Sequence, residues 1–167
     1  MLRARRPPAG AAPRAGAVRI IVGIDSSRHS ALAVSAVAAR VWPSGTEVKV
    51  VAAMDLKLLS VLARPTPSPW PRPGFDAVPA SDDARAWACE AVGAVVAELR
   101  AAGLVATPVV EEADAKQFLV QEAERWPADC IFVGAKGQSA IERFFLGSVS
   151  ATVAARAPCS VEVVRQG

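Results

Sequence analysis

Residues 18–54 read VRIIVGIDSSRHSALAVSAVAARVWPSGTEVKVVAAM. Val18 to Ile24 is a short apolar run rich in β-branched side chains, the composition of a buried strand. Asp25-Ser26-Ser27 follows it and offers side-chain oxygens to cap a helix. Val34, Val37, Ala38 and Val41 then recur at helical spacing until Trp42-Pro43-Ser44-Gly45 breaks the pattern. Glu47 to Met54, EVKVVAAM, is a second strand. A strand, a helix and a strand with no hairpin turn between them require a crossover connection. The two strands are then parallel, and the crossover is right-handed in nearly every case.

Downstream of this unit, residues 64–80 hold Pro65, Pro67, Pro69, Pro71, Pro73 and Pro79, with Trp70 and Phe75 among them. Neither a helix nor an interior strand tolerates that density of proline, so the segment is expected to be a long surface loop without an assigned role. Ser81, Asp82 and Asp83 are placed to cap a helix whose apolar face runs Ala88, Ala91, Val92, Val95, Val96 and Leu99, with Gly103 at its end. Leu104 to Val110 is a third strand. Leu119, Glu122, Ala123 and Trp126 share one face of a further helix that stops at Pro127. Cys130 to Val133 is a buried strand closing on Gly134, Ser148 to Arg156 is helical up to Pro158, and Val161 to Val164 is the last strand. Five strands alternating with four helices predict an α/β fold: a doubly wound parallel sheet with helices on both faces.

The whole chain has 167 residues, of which 52% are hydrophobic, enough for one domain with its own core. No run approaches the ~18 apolar residues of a membrane span. The net charge of +3 belongs to the first 17 residues, which contain Arg3, Arg5, Arg6 and Arg14 and no acid, leaving 15 basic against 16 acidic residues from position 18 onward. A near-neutral body without interleaved aromatic and basic residues argues against a nucleic-acid surface. Residues 1–17, interrupted by Pro7, Pro8 and Pro13, lack the apolar stretch of a secretory signal and read as a disordered basic arm, with 18–165 as the folded domain. Cys89, Cys130 and Cys159 are odd in number and lack metal or redox spacing, as expected of small core residues in a reducing cytoplasm.

The chemically informative segment is Gly134-Ala135-Lys136-Gly137, nine residues QSAIERFFL, then Gly147-Ser148. Gly134 stands at the carboxyl end of a strand, where open parallel sheets form their ligand crevice, and glycine there permits close backbone approach and a positive φ. Gly147-Ser148 opens the final helix, so the N–H groups of Ser148, Val149 and Ser150 and two hydroxyls are expected to face that crevice. These are the parts of a phosphate site, the alternative being two unrelated helix C-caps and an N-cap. Two familiar fingerprints do not fit: no Lys follows the last glycine, as a P-loop requires, and residues 22–27 read VGIDSS where a dinucleotide fold would carry G-x-G-x-x-G.

The pattern G-2x-G-9x-G-S followed by VSATVAARAPCSVEVVR, with VGIDSSRHSAL from Val22 and the strand ADCIFVG ending on Gly134, closely resembles the universal stress protein family over residues 18–165. The resemblance implies a sheet of order 3-2-1-4-5, a homodimer, and ATP with Mg2+ bound at the switch point between strands 1 and 4. It implies that Asp25 contacts the nucleoside or its metal and that Ala53 presents backbone to adenine. Gly134 and Gly137 would line the ribose and phosphates, while Gly147, Ser148, Val149 and Ser150 would hold the phosphates. One departure is visible: Ala113-Asp114-Ala115 stands where the family often has a Gly-x-Pro turn. The last strand, Ser160 to Arg165, would be a sheet edge available for antiparallel pairing with a second copy.

Hydrolysis would need a base for water and a clamp on the γ-phosphate. Asp25 is the one carboxylate placed at the crevice, and such a group more often orients ribose or magnesium. Lys136 and Arg143 read as loop cations, and His29 has no partner at a recognisable spacing. A nucleotide-binding regulatory module is the leading expectation, with a slow ATPase using the same pocket, or a dimeric scaffold with a vestigial pocket, as alternatives.

Overall fold

The computed structural model describes residues 16–25, 27–54, 81–136 and 146–165. The expected Pro-rich loop, most of the basic arm, and Gly137 and Arg143 lie outside them. Five strands, β1 (Arg19–Ile24), β2 (Glu47–Ala53), β3 (Val105–Glu111), β4 (Cys130–Gly134) and β5 (Ser160–Val164), form one sheet of order β3-β2-β1-β4-β5. Every pairing is parallel; Val22 lies opposite Val50 on one side and Phe132 on the other. The helices among the described residues are α1 (Arg28–Ala38), α2 (Ser81–Ala101), α3 (Ala115–Arg125) and α4 (Ser148–Arg156). None is long and apolar enough to cross a membrane.

The alternation of side chains along the strands builds two cores. On one face Ile20, Val22, Val48, Val50 and Phe132 pack against Val34 and Val37 of α1 and Val92, Val96 and Leu99 of α2. On the other, Ile21, Val51, Ile131 and Val133 meet Phe118, Leu119 and Ala123 of α3 and Val153 of α4. Because the central strands bury both faces, they read as continuous apolar runs rather than as alternating ones.

Local chemistry sets the helix ends. Ser27 caps α1, its Oγ accepting from the Ser30 N–H at 3.1 Å. Asp114 caps α3 through the N–H groups of Lys116 and Gln117. At the end of α2, the Leu104 N–H donates to the Leu99 carbonyl and the Gly103 N–H to that of Arg100, with Gly103 at φ +86°. This is a Schellman closure, in which the positive φ calls for glycine. The α1 pattern is corrected at one position: the helix ends at Ala38, and Val41 lies beyond it, fully exposed. The Trp42 indole N–H takes the Val37 carbonyl at 2.8 Å, satisfying a terminal acceptor, while Pro43 disfavours helical geometry just before it.

One carboxylate is buried by design. Glu122 of α3, 7% exposed, accepts from Lys49 Nζ of β2 at 2.6 Å and lies 3.6 Å from the Arg125 guanidinium. The pair ties α3 to the sheet, and the two cations offset the cost of removing the carboxylate from water.

Candidate functional site

All five strands run the same way, so Asp25, Ala53 and Gly134, at or just past the ends of β1, β2 and β4, lie at one end of the sheet. After β1 the chain crosses to β2 over the face covered by α1; after β4 it crosses to β5 over the opposite face, covered by α4. The gap between β1 and β4 at the carboxyl end is the switch point, where an open α/β sheet places its ligands.

The start of α4 is fastened to this point. Gly147, the N-cap, donates its N–H to the Ala135 carbonyl at 2.7 Å, one residue past the end of β4. The first bond of the helical ladder runs from the Ala151 N–H to the Gly147 carbonyl at 2.9 Å, which leaves the N–H groups of Ser148, Val149 and Ser150 outside the ladder. Gly147 has no side chain to cap them, and no acidic residue stands in the first turn. Three N–H groups at the positive end of a helix, without a competing carboxylate on that turn, suit a phosphate.

The sequence-predicted residues differ in what they do here. Asp25 is exposed, and its Oδ1 accepts from the Ser27 N–H at 3.0 Å, bracing the turn into α1. Ala53 lies opposite Glu111 and is half-buried. Ser150 is 1% exposed, and its hydroxyl reaches the Ala135 and Gly147 carbonyls rather than the crevice. Gly134 requires a correction. It does not have a positive φ, and a Cβ there would lie 2.5 Å from the His29 carbonyl carbon and 2.7 Å from its oxygen. The close approach that excludes a side chain is made by the α1 backbone. Gly137 and Arg143 lie outside the described residues.

Two contributors escape a reading by residue type. Ser27 Oγ, besides capping α1, donates to the Lys136 carbonyl at 3.3 Å and so holds the chain leaving β4. A cap within Asp25-Ser26-Ser27 was legible in the sequence; the long-range bond of Ser27 was not. Ala135 acts only through its backbone, which no side-chain pattern announces. A groove of about 400 Å3 lined by Val109, Glu111, Ala113, Phe118, Gln121, Glu122 and Arg125 lies between β3 and α3, and none of the predicted site residues lines it. Among the described residues, no three His, Cys, Asp or Glu side chains gather as a metal site.

The architecture is a doubly wound parallel α/β sheet whose last helix begins at the switch point with no side-chain cap. The profile of the universal stress protein family matches residues 18–165, and the chain belongs to that family. Comparison with curated proteins gives no match. Among solved structures, hypothetical protein MJ0577 is 19% identical with a TM-score of 0.69, covering 90% of this chain and 96% of its own. The universal stress protein UspA from Lactobacillus plantarum is 22% identical (TM-score 0.66; 91% and 100% covered). The universal stress protein from Archaeoglobus fulgidus in complex with dAMP is 21% identical (TM-score 0.59; 89% and 98% covered). At these identities the likeness is one of fold.

Proposed function

We propose that this protein is a nucleotide-binding regulatory module that takes ATP with Mg2+ at the carboxyl end of β1, β2 and β4. The observation that carries this reading is the start of α4, whose three N–H groups outside the ladder are held beside the β4 exit at the switch point. Ser148, Val149 and Ser150 hold the phosphates through these N–H groups, with Gly147 as the cap. Asp25 contacts the nucleoside or its metal, the Ala53 backbone meets adenine, and Gly134 and Gly137 border the ribose and phosphates. Support comes from family members solved with cAMP, with AMP and with dAMP, although none of these is ATP. Signalling follows from occupancy of the site. Cys89 is exposed rather than the core residue expected, and Cys130 and Cys159 are half-buried; a reducing cytoplasm is proposed from the odd number and spacing of the cysteines alone.

We further propose a homodimer through β5. The sheet has two edges, and β3 carries Pro108 in its middle, a residue that lacks a ladder donor and blunts an edge. β5, SVEVV, has no such guard. Calorimetric titration with ATP and Mg2+ tests the nucleotide reading: the wild type binds, Gly137→Val does not, and Ser148→Ala loses only about 1 kcal/mol because the backbone donors persist. A wild type without measurable affinity for any adenine nucleotide, or a Gly137→Val variant that binds equally well, would overturn it.

A further inference from the structure

The carbonyl of Ala135 accepts two hydrogen bonds, from the Gly147 N–H at 2.7 Å and from Ser150 Oγ at 3.1 Å. Ala135 is buried, and its own N–H donates to the Val164 carbonyl at 2.7 Å, at the end of β5. One residue thus joins the exit of β4, the last residue of β5 and the first turn of α4. The Ser150 hydroxyl is also 2.9 Å from the Gly147 carbonyl, so it spans the N-cap and the strand exit at once. At 1% exposure the hydroxyl is turned inward, and its one proton is shared between the Ala135 and Gly147 carbonyls, each of which also accepts a backbone N–H.

Resting on the nucleotide-binding reading above, we propose that Ser150 is a positioning residue. Its hydroxyl touches no phosphate; it locks the α4 start against β4, so that the Ser148 and Val149 N–H groups are aimed before a phosphate arrives. A preset donor array needs no reorganisation on binding, and the gain falls on the phosphate-bearing part of the ligand alone. Adenosine, which has no phosphate, does not use the array.

The test compares ATP and adenosine binding to wild type, Ser150→Ala and Ser150→Thr by calorimetry, with amide hydrogen exchange at Gly147 in the unliganded proteins. Ser150→Ala is expected to weaken ATP by about tenfold, the scale of one lost hydrogen bond, to leave adenosine unchanged and to speed exchange at Gly147. Ser150→Thr, which keeps the hydroxyl, restores both. Equal weakening of ATP and adenosine would show a merely structural role, and unchanged ATP binding would show that the hydroxyl positions nothing; either result overturns the proposal. A wild type that binds no adenine nucleotide overturns the parent reading, and the positioning role falls with it.

Discussion

A glycine at the end of a strand signals that something comes close, but not what. At Gly134 the neighbour is the backbone of His29, and a methyl group would sit 2.5 Å from its carbonyl carbon. Gly134→Ala must push α1 away from β4, so it is expected to destabilise the fold by ~2 kcal/mol, within the usual cost of overpacking. Urea unfolding measures this; an unchanged midpoint would mean that α1 shifts at no cost. The motif spacing singled Gly134 out, yet it cannot distinguish a ligand from a helix, because both need the same missing Cβ. The cap of α1 was more legible: Asp25-Ser26-Ser27 offers cap oxygens by local rules alone, and of the three Ser27 is the one that caps. Its bond to the Lys136 carbonyl joins residues distant in sequence, so local rules had no access to it.

Elements were easier to read than their contacts. All five strands and four helices appear in the expected order, because buried parallel strands are short apolar runs bounded by turn residues, and such runs survive tertiary context. The residual error falls at an end: Val41 continued the α1 spacing, but Trp42 and Pro43 close the helix earlier. The sheet order came from family resemblance, not from periodicity, since alternation fixes faces and leaves neighbours open. That order puts β5 at an edge, with Val161 and Val163 on the α4 face and Glu162 ion-paired to Arg40 on the other. Val163→Pro removes a backbone donor from this strand, and the proposed dimer is expected to dissociate while the core persists. Light scattering at micromolar concentration checks it. A monomeric wild type, or a variant still fully dimeric, places any interface elsewhere.

For the molecule as a whole, two thiols make stability depend on alkali. Burial, followed by the neighbouring Cys159 and Glu162, pushes the Cys130 thiol from 9.0 up to about 11; burial and then Asp129 push Cys159 to about 11 as well. The fold favours the neutral thiols, so the unfolded chain releases these protons first as pH rises. Their contribution is complete below about pH 9 and is lost progressively toward pH 11. Urea midpoints should therefore fall between pH 8 and pH 10.5, and less steeply in a Cys130→Ala, Cys159→Ala double variant; identical slopes would refute the assignment. The position of β1 at the centre of the sheet has a different consequence, one of timing. One of its edges is filled by β2, which follows almost at once, but the other must wait for β4, and Asp129, which binds the Arg19 N–H, lies 110 residues further along. A nascent chain that has completed only β1, β2 and β3 carries RIIVGI with a whole row of backbone donors and acceptors unpaired. Pairing with β4 is what closes that adhesive edge, so a growing chain whose β4 has not yet paired is open to self-association through β1.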